Sequence, residues 1–348
     1  MTGHSKSLSI NHLLKYFLQK LVPRSTRKLL YLLIFTSSGF LATAQQKSID
    51  TTFIEAFEKR NTIELYTGNS SAALNFKDPG ERLQDFRMVA NSSAYTGIFL
   101  NYKWFSLDYS VAIPGTRRAK DIKLKYKSFA FNFSWKRWKF HPFFNSYNGL
   151  LIPKDKSNSD YEAFRNIQYS NAGLDLFYYT NIERFSPGAA NAFSQRQVKS
   201  AGSLFFMATP VWQKINWKDP SRTLISDSGT YTLLSGDPQW VSLIARTGYL
   251  YNFSLKKGKW NIVPSLMFGA GALREIGTGK KDLQLVSDIQ ASVNLGYNSN
   301  SFYIYGRAWW DNLQTNFLIK NMNRVNSNFS ITAGYRFADF RKKFLKIL

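Results

Sequence analysis

The residue best suited to acid–base chemistry is His141, because the two other histidines lie within the first twelve residues. Hydrolysis of a lipid ester would require a serine nucleophile, a histidine base and an acid that lipid can reach. His141 follows a short turn at Arg137. In a strand its side chain would lie on the face opposite to that of Phe140 and Phe144. These positions point the imidazole into the protein interior, near the end of the strand that carries the short turn. A hydrolase of outer-leaflet lipid would need it on the lipid-facing side, near the external end. We therefore expect a structural histidine, with catalysis by His141 as the weaker alternative.

A second group of candidate site residues is charged and lies on the face of strand-like segments opposite to the apolar face. It consists of Asp108, Asp175, Arg246, Asp288, Arg307, Asp311 and Arg336. Mixed charges inside a barrel can form the selectivity ring of a pore, or they can pair and fill the interior. Tyr303, Tyr305 and Trp309 share the inward parity of Arg307. The interior is therefore expected to be occluded or very narrow, and an open solute channel is the alternative.

A basic cluster occupies an external connection and the start of the strand after it: Arg117, Arg118, Lys120, Lys123, Lys125 and Lys127. Cations pointing outward above an apolar band would meet the phosphates of lipopolysaccharide. The alternative is a solvated loop whose charge discourages pairing of strand edges. We expect contact with lipopolysaccharide that anchors the protein rather than catalysis.

One long connection, 181–203, lacks any regular period, and strand parity places it at the same end as the short turns. Its most distinctive residues are Arg184, Phe185, Ser186, Gln195, Ser200, Ala201 and Gly202. A long connection of such specific composition suggests function. It is expected to be a periplasmic loop or a plug that folds back into the lumen. It contains no nucleophile–base pair, phosphate loop or metal-ligand spacing, and no cofactor or metal is predicted for the chain.

These residues are positioned by strands, of which 282–297 is the clearest. Apolar residues occupy its odd positions, from Leu283 to Tyr297, whereas most even positions are polar. Alternation of period two places the two sets on opposite faces of a strand. Similar segments recur through the chain, among them 169–180 and 328–337, and no convincing amphipathic helix covers their apolar faces. Lipid is then the simplest solvent for those faces, which requires a closed barrel.

The fold predicted is all-β, a transmembrane antiparallel barrel of about twelve strands over residues 62–337. Short turns alternate with longer polar connections, so both ends of the chain are expected in the periplasm. Aromatic residues make up 16% of the chain, as expected for interfacial girdles. A soluble periplasmic β-protein is a third possibility, but it would have to cover many outward aromatics with a second layer.

The N-terminal region has the form of a secretory signal. Arg24, Arg27 and Lys28 precede the apolar run 29–41, and a small-residue cleavage site ends at Ala44. We assign residues 1–44 to a leader with a cleaved signal peptide, 45–61 to a periplasmic lead-in and 338–348 to a basic tail.

The net charge is +24, and because export is expected, lipopolysaccharide is the predicted anionic partner and nucleic acid is not. The chain contains no cysteine, which excludes disulfides and thiolate nucleophiles.

Three runs carry a resemblance to a known family: the connection 181–203, the hairpin 97–104 and the terminal Gly334-Tyr335-Arg336-Phe337. They resemble uncharacterised outer-membrane β-barrels of Bacteroidota, a domain of unknown function, over about residues 60–340. The resemblance implies location in the outer membrane and insertion by barrel assembly machinery. It implies no activity. The favoured function is non-enzymatic, either a structural envelope protein or a narrow channel. The alternative is an enzyme acting on envelope lipids, a hydrolase or transferase of lipid A or phospholipid.

Overall fold

The computed structural model describes residues 49–77, 86–102, 105–120, 122, 125–154, 160–218, 220, 225, 228–277, 283–316 and 321–339. The predicted leader, most of the basic tail, Lys123 and the side chain of Lys125 lie outside the described residues.

Strands dominate the described part of the chain. They are β1 (Ile54–Ala56), β2 (Asn61–Lys77), β3 (Phe86–Val89), β4 (Ala94–Tyr102), β5 (Phe105–Ala112), β6 (Lys125–Ala130), β7 (Phe133–Trp135), β8 (Trp138–Pro153), β9 (Tyr161–Tyr179), β10 (Gln195–Gln197), β11 (Ala201–Trp217), β12 (Gln239–Leu255), β13 (Trp260–Ile276), β14 (Gln284–Asn298), β15 (Phe302–Asn316) and β16 (Asn321–Phe337). Two short helices, α1 (Pro187–Ala192) and α2 (Ser228–Ser235), lie in connections. No helix in the described ranges is long and apolar enough to span a membrane.

Ten strands close into an antiparallel barrel, in the order β2, β3, β8, β9, β11, β12, β13, β14, β15 and β16, with β16 pairing back to β2. The ring closes where β3 pairs directly with β8, through Val89 and Leu151. The all-β barrel is therefore confirmed, but the expected count of about twelve is not. The remaining wall strands join the sheet beside the ring, because β5 pairs with β4 and both β6 and β7 pair with β8.

Aromatic residues occupy alternate positions from Phe129 to Trp135, which is typical of one continuous strand, but β6 and β7 are separated at residues 131–132. The neighbouring strand β8 places Pro142 opposite this break, where the Pro142 carbonyl accepts a hydrogen bond from the backbone N–H of Phe131 at 3.1 Å. Proline has no N–H to return a second bond, so the ladder is interrupted there.

We call the end of the barrel where β2 begins and β16 finishes the terminal end, and the opposite end the far end. Side chains alternate strictly between the two faces of the wall in β12, where Leu243 is 53% exposed and its neighbour Ile244 is 1% exposed. The same outward apolar face recurs on β2, β11, β13, β14, β15 and β16. This alternation is the pattern that the sequence predicts for a wall facing lipid.

Several glycines in the wall are covered by an aromatic ring from the adjacent strand. A Cβ on Gly173 would lie 2.6 Å from Cζ of Phe143, and a Cβ on Gly248 would lie 2.6 Å from Cζ of Phe205. Each ring therefore occupies the space that a side chain would fill. Such pairs shield the glycine backbone and help to set the register of neighbouring strands.

The interior of the far end is a packed apolar core rather than a pore. Every strand of the ten-stranded ring contributes at least one buried residue to a single cluster, including Phe76, Phe164, Trp240 and Leu313. Leu234 of α2 is fully buried in the same cluster. The connection between β11 and β12 therefore folds into the barrel mouth and closes it.

Two strands begin earlier than expected. β9 begins at Tyr161 and β16 at Asn321, whereas the alternation predicts starts at Tyr169 and Asn328. In the added part of β9, Glu162 and Arg165 are exposed and Phe164 is buried in the far-end core. Phe164 faces the core rather than lipid, and polar residues are exposed around it, so a search for outward apolar residues does not detect this part of the strand.

Candidate functional site

A polar belt crosses the barrel interior between the far-end core and the terminal end. It consists of His141, Asp175, Thr209, Arg246, Asp288, Gln290, Asp311, Arg324 and Asn326. At one side, Nδ1 of His141 lies 3.1 Å from Oδ2 of Asp175. The hydroxyl of Thr209 donates to the other oxygen of Asp175 at 2.7 Å. The carboxylate of Asp175 thus joins β8 to β11.

The centre of the belt is a buried ion pair. Nη1 of Arg246 donates to the Thr209 hydroxyl oxygen at 2.6 Å, and its Nε donates to the Asp288 carboxylate. The side chains of Arg246 and Asp288 are 3% and 0% exposed. They are on β12 and β14, and Gly269 lies between them on β13, where a Cβ would meet Cγ of Arg246 at 2.6 Å. A glycine is therefore needed for the arginine to reach across the intervening strand.

The belt continues through amides. Nε2 of Gln290 lies 3.1 Å from Asp288 and 3.3 Å from Asp311, so one amide bridges two carboxylates. Asn326 donates to Asp311 at 2.9 Å, and Arg324 lies 3.4 Å from the same carboxylate oxygen. Buried charges are stable when they are paired in this way. The belt is therefore a chain of paired groups rather than a ring of free charges.

The chemistry available to the belt is limited by these partners. Thr209 donates its proton to Asp175 and accepts from Arg246, so its hydroxyl does not bond to His141 as an activated nucleophile would. No group of three or more histidine, cysteine, aspartate or glutamate side chains in the described residues could hold a metal ion.

The terminal end is filled by the 181–203 connection, which we call the plug. The carbonyls of Asn191 and Phe193 accept hydrogen bonds from the guanidinium groups of Arg307 and Arg336. Nδ2 of Asn294 donates to the carbonyl of Ala190 at 2.8 Å. The wall therefore binds the exposed carbonyls at the C-terminal end of α1, where a cation is also favoured by the helix dipole.

Aromatic packing around Arg336 strengthens this attachment. Its guanidinium carbon lies 3.8 Å from the ring centroid of Phe57 and 4.2 Å from that of Tyr303. Phe193 of the plug stacks on Tyr305 with ring centroids 4.7 Å apart and an angle of 3° between the planes. The N-terminal segment adds a further layer, because β1 pairs with β10.

The distinctive plug residues have identifiable roles in its structure. Ser186 caps α1 by accepting from the backbone N–H of Ala189 at 2.9 Å, and its hydroxyl donates to Gln195 at 2.5 Å. Phe185 is buried and belongs to an apolar cluster that includes Ala201. The others lie at the rim: Ser200 accepts from the Ser254 backbone at 2.9 Å, the Gly202 carbonyl accepts from Asn181 at 2.8 Å, and Arg184 lies 3.7 Å from Asp50.

The remaining predicted site residues are separate from the belt. Asp108 is exposed on β5 and accepts a hydrogen bond from the Tyr66 hydroxyl. Residues 113–120 and 122, which we call the strap, cover the outer surface where β3 meets β8, with Ala119 and Ile122 packed against that contact. Asn91 holds the strap by donating to the carbonyls of both residues, at 3.1 and 2.6 Å.

The cations of the basic cluster lie on or just after the strap. Arg118 and Lys120 are exposed and Arg117 is half-buried, and Nη2 of Arg118 donates to Ser71 at 3.0 Å. Lys127 is exposed on β6. The described members of the cluster therefore lie against the outside of the wall rather than on a free loop.

A cavity of about 190 Å³ remains between the belt and the plug. Its lining residues are Asn191, Ser265, Met267, Gln290, Ala291, Ser292, Asn294, Arg307, Trp309 and Trp310. On the inward face of β15, Tyr305 and Asp311 are 9% and 3% exposed, whereas Trp309 between them is 37% exposed. The odd position of Trp309 in the strand indicates that its side chain points inward. The sequence alone gives no sign that this indole borders a cavity.

This fold and interior define a closed antiparallel β-barrel whose two ends are filled by its own chain. The chain belongs to the family described as Domain of unknown function (DUF4421), whose model matches residues 48–337. The predicted membership of an uncharacterised family is thereby confirmed. No curated protein matches the chain significantly.

Solved barrels are similar to the chain only distantly. The outer membrane protease OmpT of Escherichia coli is 9% identical, with a TM-score of 0.36 over 85% of this chain and 100% of its own. The β domain of the Bordetella autotransporter BrkA is 10% identical, with a TM-score of 0.41 over 80% and 100%. OprG of Pseudomonas aeruginosa is 9% identical, with a TM-score of 0.27 over 83% and 100%. Similarity at this level carries no argument about activity.

Proposed function

We propose that this protein is a non-enzymatic structural barrel of the outer membrane that conducts no solute. The observation that carries the proposal is the far-end core, to which all ten strands of the ring contribute buried side chains. A filled interior excludes the continuous water path that a channel needs. The plug fills the terminal end as well, so both ends of the barrel are blocked.

The outer surface supports the location. Large apolar side chains are exposed on consecutive wall strands, for example Leu243, Phe268, Leu295 and Ile304. Such a surface is stable in lipid and would aggregate in water.

We infer a Gram-negative envelope of the Bacteroidota type, export by the signal peptide, insertion by barrel assembly machinery and a terminal end in the periplasm. Arg118, Lys120 and Lys127 would then contact lipopolysaccharide phosphates.

Heat modifiability tests the membrane barrel. Protein from the outer-membrane fraction should migrate differently with and without boiling, because a closed barrel resists detergent until it is heated. Recovery in the soluble periplasm without such a shift would overturn the proposed location.

Planar-bilayer recording tests the closed interior. Protein that passes the gel test should give no discrete conductance steps after incorporation. Regular steps from the purified wild-type protein would contradict the structural role and favour a narrow channel.

The competing function is an enzyme of envelope lipids that uses His141. The bonding of Thr209 supports the non-enzymatic proposal, because its hydroxyl is committed to Asp175 and Arg246. Lipid A and phospholipid profiles should be the same in the wild type, a deletion strain and a His141→Ala strain. A lipid change that is lost on deletion and on His141→Ala would establish the enzyme.

A further inference from the structure

In the described part of the chain the wall is interrupted between β5 and β6, and we call this interruption the seam. Within the described ranges β5 pairs only with β4, and β6 pairs only with β8, so no ladder joins β5 to β6. Unpaired backbone groups are costly in lipid unless they line a water-filled space or find a partner. The seam therefore marks a place where the polar interior meets the membrane.

Side chains on both sides of the seam fit this description. The outward residues Tyr109 and Phe129 are exposed and apolar in character, as lipid-facing groups are. The inward residues Asp108, Ser110 and Ser128 are polar and also exposed, although they face the interior. The seam is consequently apolar toward the membrane and hydrophilic toward the lumen.

The seam lies across the barrel from the cavity. Counting from the seam through β5, β4, β2, β16 and β15, strand β14 is sixth, and counting through β6, β8, β9, β11 and β12, strand β13 is sixth. The cavity is lined by β13, β14 and β15. Since the far-end core and the plug fill the two ends, the seam is the place in the described wall where a ligand could enter from the side.

Asn328 and two tyrosines line the interior between the cavity and the seam. Asn328 is the cross-strand partner of Trp309, and its Nδ2 donates to the Tyr95 hydroxyl at 2.8 Å. The ring of Tyr95 makes an edge contact with Tyr66 at 6.1 Å, and Tyr66 donates to Asp108 at the seam. Hydroxyl and amide groups thus line this side of the compartment.

We propose that the cavity binds the uncharged, hydroxyl-rich headgroup of a sugar-bearing amphiphile that enters through the seam, with its acyl chain left in the membrane. Ser265, Gln290 and Asn294 supply donors and acceptors, and the exposed face of Trp309 supplies an apolar surface for a sugar ring. This inference rests on the proposed membrane location.

An anionic headgroup fits less well. The guanidinium of Arg307 is already bound, at 3.0 Å to Oδ1 of Asn294 and to the carbonyl of Asn191. Gln290 holds the carboxylates of Asp288 and Asp311 beside the cavity. A phosphate would therefore meet nearby negative charge, whereas neutral hydroxyl groups would not.

The test uses native mass spectrometry of the full protein in polyoxyethylene detergent, titrated with dodecyl maltoside or with free maltose. Wild type should retain one dodecyl maltoside adduct, and free maltose should bind at least tenfold more weakly. Trp309→Ala should weaken the adduct at least tenfold. Trp260→Ala is the matched control, because Trp260 is 43% exposed on the outward face of β13 and does not line the cavity, and it should bind like wild type.

Equal binding by Trp309→Ala and wild type, or no adduct on protein that shows the heat-dependent gel shift, would overturn the proposal. The second outcome would leave the membrane barrel intact, so the two failures are distinguishable. Equal binding of free maltose and dodecyl maltoside would refute entry from the membrane.

Entry is tested by closing the seam. The chain has no cysteine, so a Ser110→Cys/Ser128→Cys variant carries only two thiols. Joining them with a bismaleimide should abolish adduct formation, whereas the unlinked variant should bind normally. Binding that persists in the linked protein would overturn the lateral route.

Discussion

Arg246 on β12 and Asp288 on β14 form an ion pair across the glycine of the strand that separates them. The pair is buried and lies near the middle of the polar belt. It joins two strands that do not themselves hydrogen-bond, so it adds a connection that backbone pairing does not supply. Its removal should show how much the belt stabilises the barrel.

Replacing Arg246 alone should be strongly destabilising. Arg246→Leu leaves Asp288 buried without its cation, which typically costs about 3–5 kcal/mol. The free energy of unfolding can be measured by urea titration in detergent, followed by tryptophan fluorescence. The double variant Arg246→Leu/Asp288→Leu should recover much of the loss, because no uncompensated charge remains.

An exposed ion pair provides the control for this prediction. Lys154 and Asp160 lie 3.3 Å apart with side chains 51% and 66% exposed. Lys154→Ala should change stability by about 0–1 kcal/mol. If the two single variants behave alike, the belt does not contribute as its burial implies.

Glycines under aromatic rings should not tolerate side chains. Gly173→Val would drive a Cβ against the Phe143 ring and to within 2.9 Å of the Pro210 carbonyl oxygen. Overpacking of this kind costs about 1–3 kcal/mol. Gly306→Val is the matched control, since its nearest neighbour would be 3.9 Å away. Folding yield on unboiled gels should fall for Gly173→Val only, and equal yields would contradict the packing described.

The far-end core should be sensitive to truncation. Phe164 is fully buried, and its ring makes an edge contact with Trp217 at 5.2 Å. Phe164→Ala should lower the free energy of unfolding by about 3–5 kcal/mol. Phe129→Ala, on the outward face, should have a much smaller effect in the same urea titration. A small effect of Phe164→Ala would mean that this end of the barrel is loosely filled.

Loss of Arg336 should loosen the plug without unfolding the wall. Its guanidinium donates to the Ser299 carbonyl at 2.6 Å, to Asn298 at 2.8 Å and to the Phe193 carbonyl. Arg336→Leu should therefore increase cleavage within 187–193 during limited proteolysis. Arg184→Leu removes an arginine that is 63% exposed and should leave cleavage unchanged. Equal protection in both variants would show that Arg336 does not hold the plug.

The sequence predicts the wall well where one face meets lipid, because period-two alternation is a local signal. β14 was expected at 282–297 and spans Gln284–Asn298. The signal fails at the start of β9, where Phe164 faces inward into the core. It also cannot report the pairing of Val89 with Leu151, since a cross-strand contact distant in sequence leaves no periodic pattern.

The interior was only partly predictable for the same reason. Parity places Asp175, Arg246, Asp288 and Asp311 on the inward face, and the structure links them through hydrogen bonds. Their order around the wall depends on strand register, which parity does not specify. Thr209 was missed because a lone threonine in a strand gives no sign of a buried arginine partner.

The direct pairing of β3 with β8 has a geometric consequence. At the level of Val89 and Leu151 the wall contains ten strands, but toward the terminal end β5 and β6 also occupy it. Barrel diameter grows with strand number, so the barrel formed by the described strands widens toward its terminal end. In a bilayer, a barrel of this form would take up unequal areas of the two leaflets and act as a wedge.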